Sequence, residues 1–453
     1  MPTLHAASAL MPEGWRSNVR VAIAHGRIAS LEPDVAPGPN DERCAILLPA
    51  LANLHSHAFQ RAMAGYAEWR SDSAESFWTW RDTMYRVALT LEPSETETIA
   101  AQAYLEMLES GFTSVAEFHY LHHAPDGASY ANVAELAERV AAAAGNTGIG
   151  LTLLPVFYAH AGFGAQPPRS EQRRFINDPV CYANLLAASR RATASLPFAR
   201  VGVAPHSLRA ATPEEIAAVV QMAEDGPIHI HIAEQTKEVE DCLAWSGARP
   251  MRWLLDHAAV DRHWCLIHAT HMDAEETLAL ASSGAVAGLC PITEANLGDG
   301  FFPAKTFLDA SGRFGVGSDS NVEIGAAEEL RLLEYAQRLK RRARNVFAPQ
   351  GGSTGRALYD SALAGGAQAL GRASGRIEAG ALADLVSLKA DHPAIAGASG
   401  DTILDIWIFV GGRTLVDGVW SGGVKVVSDG HHTARQSIAR AFTDSMRRVR
   451  ARL

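Results

Sequence analysis

The chain has 453 residues, 47% of them hydrophobic, with a formal net charge of −10. That length suits a large barrel with an appendage rather than one small domain. The acidic balance argues against nucleic-acid and anionic membrane partners, and no apolar run approaches the roughly 20 residues of a membrane helix.

Five scattered cysteines (Cys44, Cys181, Cys242, Cys265, Cys290) form no C-x-x-C pair and suggest buried thiols in a reducing compartment. No basic segment precedes an apolar run at the N-terminus, so a cytoplasmic protein is expected. Residues 1–45 are strand-like, with 18–23 and 27–31 joined at the hairpin signal His25-Gly26. The run 45–54 then reads as a buried strand leading into His55-Ser56-His57. Residues two apart on a strand face the same side, so both imidazoles leave its end together, a pairing that suits zinc.

Strand and helix patterns alternate from there. Eight strand candidates fall at 46–56, 112–119, 148–157, 199–205, 227–233, 263–268, 285–290 and 314–319. One intervening helix is expected to start at a capping box Ser94-x-x-Glu97 and to end at Gly111. Another starts at Thr212, Pro213 and Glu215. Eight such units predict an α/β fold, a (β/α)8 TIM-type barrel over 46–375. A doubly wound sheet is the alternative, but no glycine-rich phosphate loop follows the first strand. Strand patterns return at 375–380, 383–388, 407–410 and 424–427. With residues 1–45, the segment 376–430 is expected to form a small β-sandwich domain. Residues 431–453 read as a basic amphipathic, surface-packed helix. The run Lys340-Arg341-Arg342-Ala343-Arg344 reads as an exposed helix face, and His122, His123, His431 and His432 as surface or structural.

Active sites of such barrels gather at the C-terminal strand ends. Four of those ends carry metal-type or acid–base residues: His55 and His57; His229, His231 and Glu234; His268; and Asp319. Any one could be a core histidine or a capping aspartate, but all four at one pole define a candidate site.

The series His-x-His, His-x-x-Glu, His, Asp resembles the amidohydrolase superfamily in its mononuclear deaminase branch. The resemblance spans nearly the whole chain, including the segments 375–380 and 383–386. The stretches 53–65, 117–123 and 204–209 are more closely similar to the formimidoylglutamate deiminase family. Members of that family convert N-formimidoyl-L-glutamate and water to N-formyl-L-glutamate and ammonia in histidine degradation. The resemblance implies one Zn2+ per chain held by His55, His57, His231 and Asp319, and it suggests a homodimer. The family pattern places the ligand three residues before the glutamate, which selects His231. His229 lies roughly 6–7 Å deeper on the strand and reads as a barrel-layer residue. Residues 199–206 contain no lysine to bridge a second metal. Asp319 would accept the water proton, His268 would orient the hydroxide, and Glu234 would protonate the imino nitrogen. A small-molecule substrate with two carboxylates calls for arginine forks and donors. Gln60, Arg81, Tyr120, His206 and Arg209 are the candidates. Two other readings are weighed: deamination of an aromatic ring of guanine, cytosine or triazine type, and an inactive barrel acting as a binding protein. The arginine pair argues against the first and the complete site set against the second.

Overall fold

The computed structural model describes residues 2–70 and 76–453. The two ends of the chain meet in one eight-stranded sheet. Its N-terminal strands are Thr3–Met11, Gly14–Ala24, Arg27–Glu32 and Glu42–Pro49; its C-terminal strands are Leu385–Leu388, Val416–Ser421, Val424–Ser428 and His431–His432. Glu42–Pro49 joins the halves, parallel to Thr3–Met11 and antiparallel to Leu385–Leu388. The strands expected to build a sandwich thus pair into a single continuous sheet. The hairpin at His25-Gly26 is present, with φ of 49° and 75° at the two turn residues, as a tight hairpin requires.

Several expected boundaries move. The run read as one strand over 45–54 is two. Glu42–Pro49 belongs to the terminal sheet, whereas Leu51–Ser56 is the first barrel strand, so the division falls at Ala50 rather than at 45. At the other end the sheet runs on to His431–His432, and the final helix is Arg435–Arg450. Residues 375–380 form no strand, because Gly375 and Gly380, at φ of 75° and 88°, turn the chain. Residues 407–410 are helical rather than extended: Trp407–Gly411 continues the helix Thr402–Ile406, and the fully buried Trp407 packs edge-on to Tyr359 at 5.4 Å. A short apolar run has no period that separates a strand from a buried helical turn. The helix before the second barrel strand starts two residues earlier than expected, at Pro93, with a reciprocal box of Glu92 and Glu95 in place of Ser94 and Glu97. Gly111 ends it at φ 102°, where an added Cβ would stand 3.1 Å from the Trp407 ring. Cys181 is exposed, while the other four cysteines are buried.

The remaining strands are parallel and pair in chain order. Leu51–Ser56, Phe112–His119, Gly150–Phe157 and the short pieces Arg200–Val201 and Ala204–Pro205 form one run; Ile228–Ile232, Trp264–His268, Val286–Leu289 and Arg313–Val316 form the other. Parallel bridges Val203–Ile228 and Ser56–Asp319 link the two runs at both seams, closing a ring of eight positions. Helices cover its outside. Strands buried on both faces have no reason to alternate polar and apolar residues, and Phe112–His119 and Gly150–Phe157 are buried throughout. The C-terminal helix buries Ser445, Met446 and Val449; ion pairs of Arg435 with Glu109 and, just past its end, of Arg452 with Glu95 anchor it to Pro93–Ser110. No helix among the described residues is long and apolar enough to cross a membrane.

Candidate active site

The seam that closes the barrel also assembles the site. The Asp319 amide donates to the His55 carbonyl and the His57 amide donates to the Asp319 carbonyl, both at 2.9 Å. The eighth strand end is thereby locked beside His-x-His. Asn53 braces the turn, donating to Ser318 Oγ at 2.6 Å and accepting its amide at 3.0 Å. On the other side the His231 amide donates to the His206 carbonyl at 3.0 Å. Residues at these strand ends adopt left-handed backbone: Ala233, His268, Ala269 and Asp319 at φ of 51°, 69°, 49° and 45°. Such conformations cost about 1–3 kcal/mol each and persist where the surroundings over-determine them. Here they turn Glu234, His268 and Asp319 into one cavity.

His55, His57, His231 and Asp319 are all buried, and their ligand atoms lie within 4.8 Å of one another. His55 Nε2 stands 3.2 Å from His57 Nε2 and 3.1 Å from His231 Nε2. Asp319 Oδ1 is 3.4 Å from His55 and 3.3 Å from His57. The other ring nitrogens fix the tautomers: His57 Nδ1 meets the Phe118 carbonyl at 2.9 Å and His231 Nδ1 the His206 carbonyl at 3.0 Å. A carbonyl only accepts, so both Nδ1 carry protons and both Nε2 turn lone pairs inward. Lone pairs converging at this spacing call for a cation between them. Nitrogens around a tetrahedral zinc stand roughly 3.3 Å apart, given Zn–N near 2.0–2.1 Å. The donor set therefore fits zinc. Burial lowers the pKa of all three histidines, that of His55 to about 3, so their imidazoles are neutral. Burial works to raise Asp319, but its contacts with His55, His57 and His268 hold it well below the carboxylate range.

His229 is not in this cluster. Its Nε2 bonds the Ala369 carbonyl at 2.8 Å in the barrel interior. A neighbouring trio, His268, Cys290 and Glu294, is a hydrogen-bonded support instead: Glu294 Oε1 accepts the Cys290 amide at 2.8 Å and meets His268 Nδ1 at 3.3 Å. Burial keeps the Cys290 thiol protonated, which makes it a poor ligand.

Glu234 and His268 face the cluster. His268 Nε2 is 3.8 Å from Glu234 Oε1 and 3.9 Å from Asp319 Oδ2. Burial opposes a charge on His268, yet Glu234, Glu294 and Asp319 raise its pKa to about 10. Burial also raises Glu234, against the charges of His268 and Arg209. Glu238 holds this corner. It accepts the amides of Ala233 and Glu234 at 3.1 and 3.2 Å and lies 3.8 Å from Arg209 Nη2, which is 3.7 Å from Glu234.

Gln60, Arg81, Tyr120, His206 and Arg209 all line the cavity that reaches His57, His231, Glu234, His268 and Asp319. Gln60 donates to Tyr120 Oη at 2.6 Å. Arg81 projects from the helix Phe77–Ala88, its guanidinium 4.5 Å over the Trp78 ring and 5.6 Å over Tyr85. Among the described residues, Arg81 Nε and Arg209 Nε are buried without a hydrogen-bond partner. Burial and the Arg209 charge keep His206 neutral. Sequence reasoning missed Glu238, Glu294, Tyr85, Tyr158 and Gln172. Tyr158 directly follows the third strand, the same placement that selected Tyr120, so it was findable. Glu238 and Glu294 sit in first helical turns and carried no signal apart from ordinary capping acids. His122 and His432 are buried and structural, bonded to the carbonyls of Val156 and Thr147 at 2.9 Å each.

The chain belongs to the amidohydrolase family, which matches residues 46–426. Residues 1–45 match the formimidoylglutamate deiminase HutF N-terminal domain. The chain is 53% identical over 447 residues to the formimidoylglutamate deiminase of Pseudomonas aeruginosa, covering 98% of each chain. It superposes on the crystal structure of an amidohydrolase from Brucella melitensis with a TM-score of 0.96 and 55% identity, covering 99% of this chain and 100% of that one. A zinc-bound adenosine deaminase from Xanthomonas campestris, at TM-score 0.81 and 22% identity over 99% of this chain and 98% of that one, shares the fold.

Proposed function

We propose that this chain is a formimidoylglutamate deiminase, hydrolysing N-formimidoyl-L-glutamate to N-formyl-L-glutamate and ammonia in histidine degradation. One observation carries the reading: two guanidiniums whose Nε atoms are buried and unpartnered among the described residues share a cavity with a metal-type His/Asp cluster and a buried glutamate. Guanidinium N–H groups buried without acceptors fit a dicarboxylate, not a neutral aromatic ring. The 53% identity to a deiminase of that name supports the same substrate.

In this reading His55, His57, His231 and Asp319 hold one zinc ion, and a homodimer is the working form. When bound, the metal would lower the pKa of a water toward neutrality. Arg81, Arg209, Tyr120, His206 and Gln60 bind and orient the carboxylates, fixing the formimidoyl carbon at the acid–base cluster. Water adds to that carbon. Asp319, whose Oδ2 faces His268, takes the water proton, and His268 steers the attacking oxygen. Glu234 delivers a proton to the imino nitrogen, giving a tetrahedral carbon that carries –OH and –NH2. The proton held by Asp319 then passes to that nitrogen, the hydroxyl proton returns to Glu234, and the carbon–nitrogen bond breaks to release ammonia and leave the formyl group. The aromatic rings of Phe77, Trp80 and Phe175 line the same cavity.

Mass spectrometry of the products tests the reading. Ammonia and N-formyl-L-glutamate are expected. Formamide with glutamate, or faster turnover of guanine or cytosine, would replace it. Arg209→Met should lower kcat/KM roughly tenfold to a hundredfold, since a charge-assisted hydrogen bond is worth about 1.5–3 kcal/mol. Its metal content should not change, because Glu238 keeps its two backbone donors and the four metal-type residues are untouched. Loss of metal together with activity would place Arg209 in the framework rather than in substrate binding.

A further inference from the structure

Gln172 ends the short turn Ser170–Gln172 and is 1% exposed. Its Oε1 accepts the Arg169 amide at 2.8 Å, which fixes the way its side-chain amide faces. Nε2 therefore points at two phenols, donating to Tyr158 Oη at 2.8 Å and to Tyr85 Oη at 3.2 Å. Both phenol oxygens act as acceptors here, so two phenolic protons remain. The Tyr158 and Tyr85 hydroxyls also bond each other; with Tyr85 donating to Tyr158, the Tyr158 O–H is left to donate into the cavity that both rings line. The cavity wall beside them carries Arg81 and Arg209, each with a buried Nε that lacks a hydrogen-bond partner among the described residues. The Tyr158 ring also lies 4.6 Å from the His206 ring, on the segment that presents Arg209. Burial raises the Tyr158 pKa, so the phenol keeps its proton.

We propose that Tyr158, oriented by Gln172, is a specificity-determining residue whose hydroxyl donates to the substrate carboxylate bound by Arg209. The inference rests on the dicarboxylate reading above. A carboxylate offers about four lone-pair sites, and a bidentate guanidinium fills two. The rest need neutral donors at the same end, and the Gln172-supported phenol supplies one. Gln172 is a positioning residue: it holds the phenol oxygen and does not reach the substrate.

The test compares kcat/KM for N-formimidoyl-L-glutamate with that for N-methylformamidine, which carries no carboxylate. In Tyr158→Phe the ratio should fall roughly tenfold to a hundredfold, mainly through a higher KM for the glutamyl substrate. Gln172→Met keeps both phenols but loses the orienting donor, and the ratio should fall in the same direction by threefold or more. It carries the test if Tyr158→Phe does not fold. A ratio within about twofold of the parent in the folded variants, or equal losses on both substrates, overturns the proposal alone. A parent chain that releases no ammonia from N-formimidoyl-L-glutamate overturns the dicarboxylate reading and this proposal with it.

Discussion

Glu234→Gln should keep its metal and lose turnover by about 10²–10⁴, the usual contribution of a positioned general acid. The amide has the shape of the carboxyl and can still hydrogen-bond, but it cannot deliver a proton to the imino nitrogen. The backbone that aims the side chain is held independently: Glu238 clasps the amides of Ala233 and Glu234, and neither bond involves the Glu234 carboxyl. The substitution therefore removes a proton donor without releasing the turn. The four metal-type residues are His55, His57, His231 and Asp319, so elemental analysis should read the same before and after. Near-normal turnover with metal retained would exclude Glu234 as the proton shuttle.

His231→Ala should remove most of the bound metal and, with it, activity. His231 Nε2 lies 3.1 Å from His55 Nε2, and its tautomer is set by the His206 carbonyl. His229, on the same strand, cannot take its place, because its Nε2 is tied to the Ala369 carbonyl. The matched control is His229→Ala. It should retain metal and lose stability, since it leaves a buried carbonyl unpaired at about 1–3 kcal/mol and opens a cavity as well. One metal per chain is expected in the parent. Two metals per chain in active protein would overturn the mononuclear reading, and metal loss from His229→Ala alone would reverse the ligand assignment.

The strand ends were legible because each carries its own local signal. His-x-His, His-x-x-Glu, a lone histidine and an aspartate each close an apolar run, and such runs have few structural options. The domain edges were less legible. Nothing local separates Glu42–Pro49 from Leu51–Ser56, since both are apolar and only their pairing partners differ. Trp407–Gly411 misled for the same reason, because burial against Tyr359 decides its helical form.

The sequence by itself displayed the alternating barrel pattern and the His, Glu and Asp residues that close its strands, which depend on residue type and period and so show in one dimension. The choice of Arg81 and Arg209 came from the family resemblance, not from period. Tertiary structure alone decided which groups support these residues. Glu238 links Arg209 to the Glu234 backbone, Glu294 meets the far nitrogen of His268, and Gln172 bonds two phenols from distant segments. A buried hydrogen-bond donor or acceptor acquires its role from the partner it meets in space, and sequence spacing carries no record of that partner.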